Sequence, residues 1–332
     1  MTAGLISAVL ADQEGLMQTF RTRLTTGITR TKEFERKGLA SFAINVGTKC
    51  CHDCLYCSTG ALLRMHRSFK DAGQSPFGHG YSIVDPNTPD RVAADARRIR
   101  RRGMVQICTV VDAWAPEAQE HQLGRRCLEA VLAEPGWTVR ILTKNAAVVR
   151  EFDIIERYRD RVLVGLSLTG TAEASKILSI IEPNASPIED RMAALREAHA
   201  RGLRTYGMLC PLLPGIADSP DKIDRLVEFA MQYRAEEIFV EAVNARGKAL
   251  GDTQRAVESG GYAKEAAAIG RIRKREHWSR HVVEMIHHVQ SSVQWHATLA
   301  KLRFLLYPSA LLPEDAAAIR QSDAGVIWLG KH

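Results

Sequence analysis

Between positions 41 and 242 short β-rich runs alternate with helical segments six times over. That alternation admits few folds, because parallel strands joined by crossover helices must be buried on both faces. Strands are expected at 41–46, 104–110, 138–143, 161–168, 204–209 and 236–242, with helices at 89–102, 118–132, 148–158, 187–201 and 221–232. No internal repeat at solenoid spacing competes with this reading.

The first strand delivers Lys49-Cys50-Cys51-His52-Asp53-Cys54-Leu55-Tyr56-Cys57 from its C-terminal end. Cys50, Cys54 and Cys57 stand at C-x3-C-x2-C spacing, one thiolate short of a closed four-ligand site. An iron–sulfur cluster held by three cysteines keeps one iron without a protein ligand, where a small molecule can bind and take an electron. Structural zinc completed by His52, a disulfide and incidental buried thiols are the alternatives. Cys51 is the spare thiol, since using it in place of Cys50 breaks the spacing.

With Tyr56 before the third cysteine and His52 two before the second, the run resembles the G-C-x-H-G-C-x-Y-C form of spore photoproduct lyase and its relatives in the radical S-adenosylmethionine (radical SAM) superfamily. Four further segments resemble that group in the same order: 112–116 its T-D-P-Y-Q-P, Thr143-Lys144 its T-K, Glu182-Pro183 before a helix carrying Arg191 its E-P, and 211–215 its P-x-x-P-G. The resemblance covers about 45–246. It implies an α/β fold, a partial (β/α)6 TIM-type barrel with helical N- and C-terminal appendages, divided as 1–40, 41–246 and 247–332. It also implies a [4Fe-4S] cluster on Cys50, Cys54 and Cys57, chelation of its unique iron by S-adenosylmethionine, and reductive cleavage to methionine and a 5′-deoxyadenosyl radical that takes hydrogen from substrate. A flavodoxin- or ferredoxin-like protein would supply the electron.

In such barrels reactive groups gather at strand C-terminal ends. S-adenosylmethionine presents an amine and a carboxylate, which call for an acid or hydroxyl and for a cation. Thr109 and Asp112 suit the amine, Lys144 the carboxylate, with Ser167 beside them and Arg246 as a second cation. Tyr56, Cys108 and Cys210 are the candidate catalytic side chains. The lyase carries a hydrogen-donating cysteine in C-T-S-D, whereas 108–112 here is one residue longer; a one-residue change turns a strand side chain to the other face. Ser58 stands where the lyase has a second tyrosine.

A chain of 332 residues, 45% hydrophobic and 25% charged, can bury a large core. Seven cysteines without a signal peptide argue against a secreted disulfide framework. No apolar run reaches the roughly 18 residues that span a bilayer. A soluble, reduced, cytoplasmic enzyme with one cluster is therefore expected. The net charge of +7 and pI of about 9.1 lean toward DNA or RNA, with basic runs at 97–102 and 271–275, the second beside Trp278. The first run reads as a helix end. A peptide, tRNA or small metabolite is the alternative substrate, and a zinc-dependent nucleic-acid-binding or docking protein the alternative of another class. Residues 1–40 read as an amphipathic helical lead-in and 263–306 as long helices, whose histidines, His277, His281, His287, His288 and His296, read as core or surface residues rather than metal ligands.

Overall fold

The computed structural model describes residues 17–244 and 248–330. Its strands are β1 Gln18–Arg21, β2 Thr29–Arg30, β3 Phe42–Ile44, β4 Gly47–Lys49, β5 Tyr81–Val84, β6 Met104–Ile107, β7 Thr138–Thr143, β8 Val162–Leu166, β9 Arg204–Thr205, β10 Gly207–Leu212, β11 Ile238–Ala242, β12 Leu302–Leu306 and β13 Val326–Trp328. β3, β6, β7, β8 and β9 run parallel, as do β10, β11, β12 and β13. The two sets join where Tyr206 N donates to Val164 O (3.1 Å) and Leu168 N to Met208 O (2.8 Å), so β9 and β10 act as one interrupted strand. The six expected β/α strands are all present, giving the partial barrel of the fold class, and β12 and β13 extend the same parallel sheet.

Strands buried on both faces must be apolar along their length, and β8, Val-Leu-Val-Gly-Leu, is buried at every position. Outward residues pack beneath helices: Val105 and Val139 share one cluster with Val92, Ala96, Leu128 and Val131. Inward residues Leu163, Tyr206, Met208, Phe239 and Leu305 form a second core with Leu39 and Leu329, around which the sheet wraps. Gly165 permits a crossing that no other residue would. The Tyr206 ring lies where a β-carbon at 165 would sit, 2.3 Å from the nearest ring atom, and its hydroxyl donates to Ile141 O two strands away (2.8 Å).

The lead-in departs from the sequence expectation. Residues 1–16 lie outside the described residues, and 17–40 carry two short strands, β1 and β2, and one short helix, Lys32–Arg36, joined by irregular backbone. Backbone pairing and carboxylates from later in the chain take its N–H groups: β1 pairs with β5, Leu24 N donates to Asp85 (2.6 Å), and Gly27 N and Ile28 N donate to Asp95 (2.9 and 3.0 Å). These long-range partners outweigh local helical preference. At the other end, 302–306 is strand β12 rather than helix, because it is recruited onto the open edge of β11. The expected helix at 118–132 is broken by Gln122, whose φ of 49° lies in the left-handed region, into Pro116–Gln119 and Leu123–Leu132.

Among the described residues no ladder links β13 to β3. The gap is filled by the segment around helix Lys32–Arg36. Lys37 is buried between the rings of Phe34 and Tyr307 (5.1 and 5.3 Å) and faces Glu241 (3.8 Å), while Tyr307 donates to Glu33 (2.6 Å). Burial works against the Lys37 ammonium, yet Glu241 and Tyr307 hold its pKa above the ordinary range.

Candidate active site

Asn45 follows β3 directly, and after β4 the chain turns into the cysteine loop. Four bonds fix this loop from outside itself. Cys51 N donates to the buried carboxylate of Glu117 (3.1 Å), Asn184 donates to Cys51 O (2.8 Å), Leu55 N donates to Ile181 O (2.9 Å), and the Tyr56 hydroxyl donates to Glu182. The loop is thus tied to the segments following β6 and β8, which come from the same end of the sheet.

Cys50, Cys54 and Cys57 all line one open cleft, with Thr48, Leu55, Val110, Phe77 and Lys248 among its other walls. Cys51 does not line it; its thiol faces Glu117. The spacing argument that set Cys51 aside therefore agrees with the geometry. Burial, then Glu117, pushes the Cys50 thiol well above its usual range, and burial, then Glu182, does the same for Cys54. Such thiols become thiolates when a cation sits against them. Three thiols on one cleft, whose walls also include Asp53 and Asp252, fit an iron–sulfur cluster, which takes one thiolate per iron. They do not fit zinc through His52. That imidazole is buried outside the cleft with Nδ1 3.4 Å from Asp112.

Asp112 has a different place from the one its residue type suggests. It accepts from Thr143 Oγ1 (2.8 Å), Lys144 N (2.8 Å) and Trp114 N (2.9 Å), beside His52, and is buried. With both oxygens engaged, it straps the β6 loop to the end of β7 and is not open to an amine. Thr109 is likewise engaged: Asn45 donates to its hydroxyl (2.9 Å) and accepts from its N–H and that of Val110 (2.9 and 3.0 Å).

Glu182 gathers the groups that remain. It accepts from Tyr56 and Arg191, and the Lys144 ammonium lies 3.4 Å away, 5.6 Å above the Tyr56 ring. Burial alone would raise the Glu182 carboxyl. Lys144 and Arg191, with the Tyr56 hydrogen bond, hold it instead at about 2. Arg191 also donates to Ser167 O (3.1 Å), so the β8 end joins the network through its backbone. Lys144 reaches Cys210 O (3.5 Å) from the other side. The Lys144 ammonium keeps a donor for a ligand, since it has three.

Of the candidate catalytic side chains, Tyr56 is buried and committed to Glu182, a locating role for the loop. Cys108 is buried in the apolar cluster that holds Cys127 from helix Leu123–Leu132, and does not line the cleft; burial raises its thiol well above the usual range. The extra residue in 108–112 accordingly leaves it out of the site. Cys210 is half-buried beside the inward core, its Sγ 3.7 Å from Glu241. Arg246 lies outside the described residues. The sequence reading gave no role to Asn45, Glu117, Glu182 or Asn184. Their signal was position: each stands just past a strand, or within or beside a motif segment.

The radical SAM superfamily model matches residues 44–230. An uncharacterized protein of Acidianus two-tailed virus is 25% identical over 214 residues, covering 62% of this chain and 68% of its own. One from Methanocaldococcus jannaschii is 24% identical over 203 residues, 61% of this chain and 72% of its own. Among solved structures, a cysteine-to-serine variant of spore photoproduct lyase shares the fold with a TM-score of 0.57 at 16% identity, over 84% of this chain and 79% of that one. A lyase variant with bound AdoMet and dinucleoside spore photoproduct matches with a TM-score of 0.50 at 16% identity, over 72% of this chain and 65% of that one. The family match spans more than half of the chain, which therefore belongs to the radical SAM superfamily.

Proposed function

We propose that this protein is a radical SAM enzyme that carries a [4Fe-4S] cluster on Cys50, Cys54 and Cys57 and abstracts hydrogen from a nucleic acid or nucleotide-like substrate. The single observation that carries the reading is that these three cysteines, without Cys51, line one cleft. When bound, the cluster supplies one electron to S-adenosylmethionine, whose cleavage gives methionine and the 5′-deoxyadenosyl radical.

The chain's own residues bind and position. Lys144, held by Glu182, offers a cation to the S-adenosylmethionine carboxylate, and Ser167 and Arg191 keep the β8 end in register with it. Thr109 and Val110, fixed by Asn45, shape the β6 wall. Cys210 is the thiol placed among inward residues, and we assign to it rather than to Cys108 any hydrogen return to substrate. All seven cysteines are free, which suits the reducing cytoplasm, and no helix among the described residues is long and apolar enough to cross a membrane.

The preference for a polyanionic substrate rests on the charge of +7 and on likeness to a lyase seen with a dinucleoside spore photoproduct. One part of the sequence argument is corrected. Trp278 is not available for stacking on a base, being buried with Nε1 donated to Val243 O (3.3 Å), and Arg275 is engaged by Ala310 O and Leu311 O. Arg271, Arg273 and Lys274 remain exposed.

The deciding experiment is anaerobic reconstitution with iron and sulfide, followed by dithionite and S-adenosylmethionine, with mass spectrometry for 5′-deoxyadenosine. The expected result is a brown protein and 5′-deoxyadenosine above the protein-free control. A colourless protein that retains zinc and forms none would overturn the reading.

A further inference from the structure

Val105 and Val139 face outward beneath helices, so the residues that follow them in β6 and β7 face the barrel interior. Those residues are polar. Gln106 and Arg140 stand side by side as register partners within the apolar runs Met-Val-Gln-Ile and Val-Arg-Ile-Leu, and Ala43, the partner of Gln106 on β3, adds only a methyl group to that face. Both polar side chains are shut away from water: Gln106 is 0% exposed and the Arg140 side chain 4%. A buried polar residue in a strand packed on both faces is far more telling than an exposed one.

Neither side chain is satisfied. Arg140 lies over the rings of Tyr206 and Phe239 (4.6 and 5.0 Å) and donates from Nη2 to Glu237 (3.0 Å). Among the described residues its Nε and Nη1 have no hydrogen-bond partner. The other oxygen of Glu237 is taken by Arg303 (3.1 Å). Gln106 donates from Nε2 to Cys108 O (3.0 Å), which fixes the carboxamide, since turning it over would set two oxygens against each other. Its Oε1, an acceptor, is left without a partner among the described residues. Around this part of the interior Arg140, Arg204, Lys301 and Arg303 stand against Asp160, Glu236 and Glu237, which leaves positive charge in excess. A water molecule accepts from the free donors yet leaves that charge unmet. A halide or nitrate ion meets the charge yet has no hydrogen for Gln106. A ligand that does both carries a negative oxygen and a hydroxyl on one small frame.

We propose that the interior face of β6 and β7 is a binding site for a small, singly protonated oxyanion of the bicarbonate class, which accepts from Arg140 through its charged oxygens and donates its hydroxyl to Gln106 Oε1. None of these residues lines the cysteine cleft, and the site needs neither cluster nor S-adenosylmethionine. Once occupied, it ties β6 and β7 to β11 and β12 across the interior, through Glu237 just before β11 and Arg303 on β12.

The test uses the purified full chain at mildly alkaline pH and constant ionic strength, with isotope-labelled bicarbonate followed by carbon NMR. The expected result is saturable broadening of the bicarbonate resonance and a thermal midpoint that rises with bicarbonate concentration. Nitrate, planar and of the same size but without a hydrogen, should bind roughly tenfold more weakly, the worth of one hydrogen bond to a charged group. Gln106→Met should abolish that preference. Arg140→Met, which keeps an apolar stem against the two rings, should abolish binding of both ions. A wild-type chain that gives no saturable response overturns the site and leaves ordered water on Arg140. An equal response to nitrate overturns the assignment of a protonated ligand, and undiminished binding by Arg140→Met places the ion elsewhere. The contrast between the two ions on the wild-type chain needs no variant, so it decides the matter even where a variant fails to fold.

Discussion

Glu182 is the residue on which most of the site depends. A carboxylate enclosed by protein is tolerated only when its charge is met, and here Lys144, Arg191 and Tyr56 meet it. Because its carboxyl lies at about 2 rather than at the ordinary 4.5, the stability it contributes is complete above the ordinary value and drains away as pH falls from about 4.5 toward 2. Glu182→Gln should cost on the order of 3 kcal/mol near neutral pH by leaving two cations uncompensated, and the gap to wild type should narrow along the acid limb of an unfolding titration; a constant gap would show that the carboxylate charge is not what stabilises. The cysteines give a second prediction. Cys54→Ala should abolish iron binding and Cys51→Ala should retain it, as read by iron content per chain and visible absorbance, since only Cys54 of the two lines the cleft. That Cys50, Cys54 and Cys57 stand on one cleft was legible from spacing because neighbours in sequence supply them. The E-P segment marked Glu182 and Arg191, but their network with Tyr56 was not legible, because Tyr56 and Glu182 stand 126 residues apart. Asp112 shows the reverse case: an acid at a strand end reads as a ligand contact until its own N–H partners are counted.

Among elements, the strand–helix alternation was readable because parallel strands carry unbroken apolar runs. Boundaries at 138–143 coincide with β7, whereas β12 escaped notice inside a helical stretch, since five apolar-rich residues acquire strand character only when an edge is offered to them. The β8–β9–β10 junction shows how closely such elements are fitted. Gly165 leaves the space in which the Tyr206 ring crosses β8 to reach Ile141 O, so Gly165→Ala must move that ring and break its bond. Overpacking of this kind typically costs about 1–3 kcal/mol. Urea unfolding should show a lowered midpoint with an unchanged slope, and Tyr206→Phe in the wild-type background should cost less than Gly165→Ala. Equal stability of Gly165→Ala and wild type would mean that the strand shifts freely to accommodate the ring.

At the scale of the molecule the sheet is one surface, parallel except for the edge strand β2, drawn around an inner core, its two edges meeting across a segment that belongs to neither ladder. That seam has a history in time as well as a place in space. The strands β6, β7 and β8 follow one another along the chain and pair as they come, but the bond between Tyr307 and Glu33 joins residues 274 positions apart. Closing so long a loop is entropically unfavourable until both sides exist, so the seam forms last, after the strands on either side of it. What is made last through side chains alone is also what opens first, and it opens as a unit. Hydrogen exchange followed by mass spectrometry should therefore find backbone amides of β12 and of the segment around Lys37 exchanging together and ahead of those in β7 and β8; protection equal to that of β7 would show the seam to be as firm as a ladder. Synthesis must accordingly have passed β13 before the barrel wall is whole, and until then the inward face of Leu163, Tyr206 and Phe239 stands open along one side.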